Sequence, residues 1–242
     1  MNENVMRKED PWFPGRWIGG IMLILGPTLI FIGVILRLPF HFFFPEQLAA
    51  YKDHPNLIAA SYSIFAAGNV LMWPAILTIV KLINAKRPGW ALWGGVFAIF
   101  GLFARTFHAG IDHLAFQLVR SQGVELAAKA VADSYGAFHI FSTLNLAIML
   151  GWIVLAIGAY RSGTLGFIQA IALGLMAALP LGVLKGTTSF STVAAAGLCV
   201  ALIPLGIQVL RSGPASSIRA TLSWVLLVAA GGFLFFFVGQ QG

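Results

Sequence analysis

The sequence predicts an all-α, polytopic membrane protein, an up-and-down bundle of seven transmembrane helices with its N-terminus cytoplasmic and its C-terminus external. Three observations carry this. Only 10% of the 242 residues are charged, against roughly 25% in a soluble domain. Seven apolar runs approach the ~20 residues that a bilayer crossing needs. Lysine and arginine sit singly at the ends of those runs, with an excess on one side.

Residues 1–16, polar and mixed in charge, read as a cytoplasmic tail, and 17–242 as a single membrane domain. The run that follows the tail is too long for the apolar core of a cleavable signal peptide, so it is expected to stay as the first span. The expected spans cover residues 17–39, 57–83, 90–118, 134–160, 165–186, 190–210 and 218–239. On the side of the tail lie Arg7, Lys8, Arg16, Lys81, Lys86, Arg87, Arg161, Arg211 and Arg219; on the other lie Arg37, Lys52, Arg120, Lys129 and Lys185. The larger set marks the cytoplasmic face of a multi-pass protein of the cell membrane. Trp12, Phe13, Trp17, Trp90 and Trp93 fall at the inner interface, and Phe40 with Phe42 to Phe44 at the outer one, as interfacial aromatics do.

The cytoplasmic connections 85–89 and 161–164 are tight turns, which join antiparallel neighbours. The external connections 45–55 and 123–133 alternate Ala and Leu with Glu, Lys and Asp. They read either as short interfacial helices forming a lid or as plain solvated connectors. Pro74, Pro180 and Pro204 fall inside spans, where proline kinks a helix and frees backbone carbonyls.

The net charge of +7 comes from these scattered topology signals and not from a basic patch, so nucleic acid is not an expected partner. The expected partners are the bilayer and a lipid-like small molecule. The single cysteine, Cys199, lies in an apolar run, which leaves no disulfide framework and no cysteine metal site.

Chemistry concentrates in the third span, which reads Arg105-Thr-Phe-His108-Ala-Gly-Ile-Asp112-His113. A charge near the bilayer centre costs about 2.5 kcal/mol or more, so such residues face a protein interior or a wet cavity. Residues three, four and seven apart share a helix face, which makes Arg105, His108 and Asp112 one stripe, with His113 on its shoulder. The fourth span carries Tyr135, His139, Ser142, Thr143 and Asn145 in its outer half, and the second offers Ser61, Tyr62, Ser63 and Asn69. Tyr62, Asn69, Tyr135 and Thr143 are the expected pocket lining.

Three readings fit this constellation. In the first, His108 and Asp112 chelate a divalent metal with His139 or His113 as third ligand, a donor set that suits zinc or iron. In the second, Asp112 orients His108 as a general base and Arg105 stabilises an anion. In the third, the cluster is structural, with Arg105 reaching a partner on another helix because helical side chains lean toward the N-terminus. A bis-histidine haem using His108 or His113 against His139 is a further option.

The size and seven expected spans resemble those of small membrane-bound terpene cyclases in topology. That resemblance implies acidic residues from separate helices, and here Asp112 is the only acid within a span. A likeness to seven-helix hydrolases of the alkaline ceramidase type implies a histidine pair in the last helix, which this chain lacks. The functional expectation is a membrane-embedded enzyme acting on a lipid-like or isoprenoid substrate, with catalytic His108, Asp112 and Arg105. The alternatives are a small solute or proton-coupled carrier or export/immunity protein, and an assembly or accessory subunit whose polar cluster is glue.

Overall fold

A computed structural model describes residues 12–135, 139–180, 182–213 and 217–239; for 218, 220, 221 and 224 it describes the backbone alone. The tail residues 1–11, with Arg7 and Lys8 of the basic set, lie outside the described residues. The protein is all-helical, 84% helix, and no strand occurs among the described residues. Among the described residues five helices are long and apolar enough to cross a membrane.

The chain forms two units, 1–210 and 211–242. In the first, α1 (Arg16–Leu36), α2 (Phe44–Asp53), α3 (Pro55–Asn84), α4 (Pro88–Gln122) and α5 (Val124–Tyr135) are followed by a 3-10 turn, Ile140–Leu144. Then come α6 (Asn145–Arg161), α7 (Phe167–Gly174), a second 3-10 turn (Leu175–Ala178) and α8 (Ser189–Arg211). In the second unit α9 (Ile218–Gly239) is a single apolar helix.

Proline at the first helical positions opens α2, α3 and α4, where its missing N–H is no loss and its φ suits the helix. The base of the bundle is fixed where Arg16 Nη1 donates to the Leu210 carbonyl at 3.3 Å and Arg87 Nε to that of Arg161 at 3.4 Å. The other end, here called the top, carries Arg37, His54 and Gln122. α3 and α4 are 30 and 35 residues long, so at 1.5 Å per residue each exceeds a ~30 Å hydrocarbon core.

Helices approach closely through small residues, the usual packing device where lipid supplies no hydrophobic drive. A Cβ on Gly151 of α6 would lie 2.5 Å from the Ala98 backbone nitrogen of α4. One hydrophobic core runs through the bundle, and in it Leu23, Met72, Ile76, Leu102, Ile148, Leu173 and Leu198 are almost fully buried. A second core at the top joins Leu48 and Tyr51 of α2, Ile58 and Tyr62 of α3, Phe116 of α4, Ala127 of α5 and Leu184. The connections 45–55 and 123–133 are therefore largely helical: α2 buries Gln47, Leu48, Ala50 and Tyr51, whereas α5 buries Ala127 alone and is otherwise largely exposed.

Two expected spans differ from the structure. The run expected at 165–186 is helical only over Phe167–Gly174 and the turn after it; an eight-residue helix rises about 12 Å. Proline has no N–H to continue the ladder, and none of the described residues between Ala178 and α8 is helical. This stretch still travels from base to top, because Gly186 N donates to Phe42 O at 2.9 Å and Thr187 Oγ1 to Val34 O at 2.9 Å. Thr188 and Ser191 then cap α8 reciprocally, Ser191 N donating to Thr188 Oγ1 at 3.1 Å and Thr188 N to Ser191 Oγ at 3.2 Å. The run expected at 134–160 is interrupted as well: His139 is extended and only Ile140 begins the turn that leads into α6. α3 and α8, by contrast, run through Pro74 and Pro204.

Candidate functional site

Non-helical backbone inside a membrane bundle needs partners for every N–H and C=O, and tolerates burial only against protein or a wet cavity. The stretch 179–188 finds its partners in the polar side chains of the first four helices. Arg105 donates from Nη2 to the Leu179 carbonyl and from Nη1 to that of Pro180, both at 3.3 Å. Asp112 Oδ1 accepts the Leu184 N–H at 2.6 Å. Arg37 Nη1 and the Tyr62 hydroxyl both donate to the Lys185 carbonyl, each at 3.3 Å.

Leu184 is fully buried and has φ 52°, a left-handed conformation costly for a residue with a Cβ. The charge-assisted bond from Asp112 holds it there. Gly186 lies where nothing larger fits: a Cβ would come within 2.8 Å of the Gln47 amide, the His41 carbonyl and Phe42 Cα. Gln47, wholly buried, donates to the His41 carbonyl and accepts from the Tyr62 hydroxyl at 3.0 Å.

Against this stretch lies a cavity of about 590 Å³, within the range of small-molecule sites. Arg105, His108, Asp112 and His113 line it from α4, Tyr62 from α3, Arg37 from α1, and Lys185 from the irregular stretch. Arg105 lies about 26 Å and Asp112 about 36 Å along α4 from its start, so the stripe occupies the upper part of the bundle. Both are more than nine-tenths buried, as is His108.

His108 Nε2 is 3.4 Å from the Tyr135 hydroxyl. Tyr135 belongs to the end of α5, and not to the start of the next span as expected. Burial raises its pKa above the ordinary 10.0, a Val183 backbone bond works against the rise and the Asp112 charge adds to it. The phenol thus stays protonated at neutral pH, able to donate to the imidazole.

The expected site is assembled in part. Arg105, His108 and Asp112 do share one buried face, and Tyr62 joins them in the cavity wall. His113 lines the cavity although largely exposed. Asn69 is buried but turns its amide to the Phe65 carbonyl at 2.8 Å, a helix-internal bond, and is not among the lining residues. Thr143 is exposed and bonds to Ile140 O at 2.6 Å. His139 lies tilted against the Phe107 ring, the centroids 4.8 Å apart, and its centroid is 6.3 Å from that of Tyr135. Asp112 binds the Leu184 amide, so the expected orienting contact to His108 gives way to Tyr135. Among the described residues no group of three or more His, Cys, Asp or Glu side chains is placed to hold a metal ion, and the metal reading of His108, Asp112, His139 and His113 is not carried further.

Sequence reasoning assigned Arg37 and Lys185 to topology alone. Both fall inside their expected apolar runs with apolar neighbours on each side in sequence, the same signal that singled out Arg105. The participation of Gln47 had no such signal, since its own segment is polar.

Comparison with protein-family models, with curated proteins and with solved structures found no match to this chain.

Proposed function

We propose that this chain is a membrane-embedded enzyme of the cell membrane that acts on a lipid-like substrate from the external side. His108 is its proton-transfer group and Tyr135 the partner. The observation that carries this is a buried imidazole in the wall of a 590 Å³ cavity, with the Tyr135 phenol, itself not a lining residue, 3.4 Å from its Nε2. A neutral imidazole and a protonated phenol in contact can pass one proton in either direction, which is what general acid–base catalysis asks of a pair. Arg105 and Asp112 act as positioning residues: they hold the stretch 179–188 that forms one wall. Apolar wall residues such as Phe65 and Phe116 favour an amphiphile over a fully polar solute, and the apolar core of the bundle favours a pocket with one entrance.

In this reading the chain crosses the membrane seven times, N-terminus inside and C-terminus outside, as one membrane domain over 17–242. The fifth crossing is the broken one, 167–188, and α9 is the last. The test is product formation by purified protein in nanodiscs supplied with a total membrane lipid extract, followed by mass spectrometry. Species that change with wild type and not with a folded His108→Ala variant support the reading. Identical profiles from both proteins refute it.

A second reading is a small carrier. The broken crossing favours it, since interrupted helices beside a polar cavity are how many transporters build their solute sites. Uptake of solute or protons into proteoliposomes, with no lipid product formed, would select it.

A further inference from the structure

Resting on the reading that the cavity takes a lipid-like molecule, we infer that the group recognised there is a phosphate-type dianion, held by Arg37 and Lys185 with Arg105 deeper in the cavity. The first support is charge. Among the lining residues Arg37, Arg105, Arg120 and Lys185 are basic and Asp112 alone is acidic, an excess of three positive charges with the histidines neutral. A carboxylate brings one negative charge, whereas a phosphate monoester carries about 1.5 to 2.

The second support is burial without a direct ion pair. Arg37 is 5% exposed and Arg105 7%. Among the described residues neither forms an ion pair with a carboxylate, and the Asp112 charge in the same cavity reaches Arg37 only at longer range. Arg37 donates to the Gly33 and Lys185 carbonyls and packs its guanidinium 4.2 Å over the Tyr62 ring. Arg105 meets two carbonyls, and its buried Nε–H has no partner among the described residues. Carbonyl dipoles offset only part of the cost of burying a guanidinium, and an anion in the cavity supplies the rest. Guanidinium forks also match phosphate geometry.

Lys185 completes the site from the irregular stretch beside Arg37. Its carbonyl is held by Arg37 and Tyr62, while its ammonium lies 5.5 Å from the Phe42 ring. Arg120, exposed at the top of α4, extends the positive field to the entrance, where it steers an anion inward.

The test uses the full chain in phosphatidylcholine nanodiscs. Retention of dioleoyl phosphatidic acid against dioleoyl phosphatidylcholine is read by native mass spectrometry, and saturable binding of inorganic phosphate by calorimetry. Wild type should retain phosphatidic acid selectively. Lys185→Gln and Arg37→Gln should weaken that retention about tenfold or more, the scale of a charge-assisted contact. Lys52→Gln, on the same side but outside the cavity, should leave it unchanged. Saturable phosphate binding with the same variant dependence identifies the free ion as a sufficient ligand; retention of phosphatidic acid alone identifies a lipid headgroup.

Arg37→Gln removes two backbone contacts and can fail to fold, whereas Lys185→Gln leaves the backbone bonds in place, so it decides the matter. Wild-type retention by folded Lys185→Gln overturns the inference, as does phosphatidic acid held no better than phosphatidylcholine with no phosphate saturation. These readouts need no turnover. Selective binding without any lipid product would therefore sink the enzymatic reading and leave the anion site standing.

Discussion

Asp112 of α4 holds the backbone of Leu184, 72 residues further along the chain, through a 2.6 Å bond from the Leu184 N–H to its carboxylate. The bond pins a left-handed leucine at the middle of the one stretch that crosses the bundle without being a helix. Asp112 lies on the same helical face as His108 and Arg105, yet these two stripe neighbours differ in kind. Arg105 secures the start of the same stretch, while His108 faces Tyr135. One stripe of α4 thus builds a wall of the cavity and presents a titratable group into it.

Replacing Asp112 separates these roles. Asp112→Ala leaves the Leu184 N–H buried and unbonded, which costs about 1–3 kcal/mol. In Asp112→Asn the amide oxygen still accepts that N–H, and only the charge-assisted part is lost, about 1 kcal/mol or less. Unfolding in mixed micelles followed by circular dichroism should rank the three proteins wild type, Asn, Ala. An Asn variant as damaged as the Ala one would show that the charge itself, and not the bond, holds the wall.

Arg105 should not tolerate lysine. Two carbonyls three bonds apart on consecutive residues are met by the two terminal nitrogens of one planar group. An ammonium on a flexible stem reaches one of them at a time. Arg105→Lys is expected to lose about 1–2 kcal/mol of stability, measured in the same unfolding experiment. Wild-type stability in the lysine variant would mean that the second carbonyl finds another partner.

The bundle itself was legible because lipid imposes it: apolar length, terminal cations and interfacial aromatics each report the bilayer directly. The stripe Arg105, His108 and Asp112 was legible for the same reason, charge in an apolar run. What the sequence concealed was the break. Residues 165–186 are as apolar as a true span, and Pro180 alone does not distinguish a stop from a kink, since Pro74 and Pro204 are accommodated within their helices. Whether backbone freed by a proline can stay non-helical depends on distant donors and acceptors, here Arg105, Asp112, Arg37 and Tyr62. That is tertiary information. The same limit misplaced Thr143 and His139, whose faces were read from a continuous helix that the 3-10 turn at Ile140 interrupts.

Gly186 is the tightest point of the irregular stretch. In Gly186→Ala the new methyl must displace the Gln47 side chain and the His41–Phe42 backbone. Gln47 is itself bonded to Tyr62, so the disturbance reaches the cavity wall. Over-packing of this kind costs about 1–3 kcal/mol. A thermal melt of the variant beside Gly174→Ala, where a Cβ meets only an ordinary 3.7 Å contact with Ala156, isolates the local effect. Equal melting temperatures for the two variants would show that the top of the bundle yields without strain.

Tyr135→Phe tests the proton-transfer pair with little risk to the fold. Its hydroxyl contact to His108 is long, 3.4 Å, so its loss should change stability by less than about 1 kcal/mol. Lipid turnover should fall about 100-fold or more if the phenol takes part in proton transfer. The variant carries a second, independent readout at alkaline pH. The folded-state pKa of Tyr135 is raised above the ordinary 10.0, chiefly by burial, so below pH 10 folded and unfolded chains are equally protonated at this site. Above it the unfolded chain ionises first, and stability falls until pH passes the folded value. Removing the phenol deletes that contribution, so the alkaline loss of stability should be shallower in Tyr135→Phe than in wild type. An unchanged alkaline slope would mean that the phenol is as free to ionise in the folded protein as in water, and would refute the burial that raises its pKa.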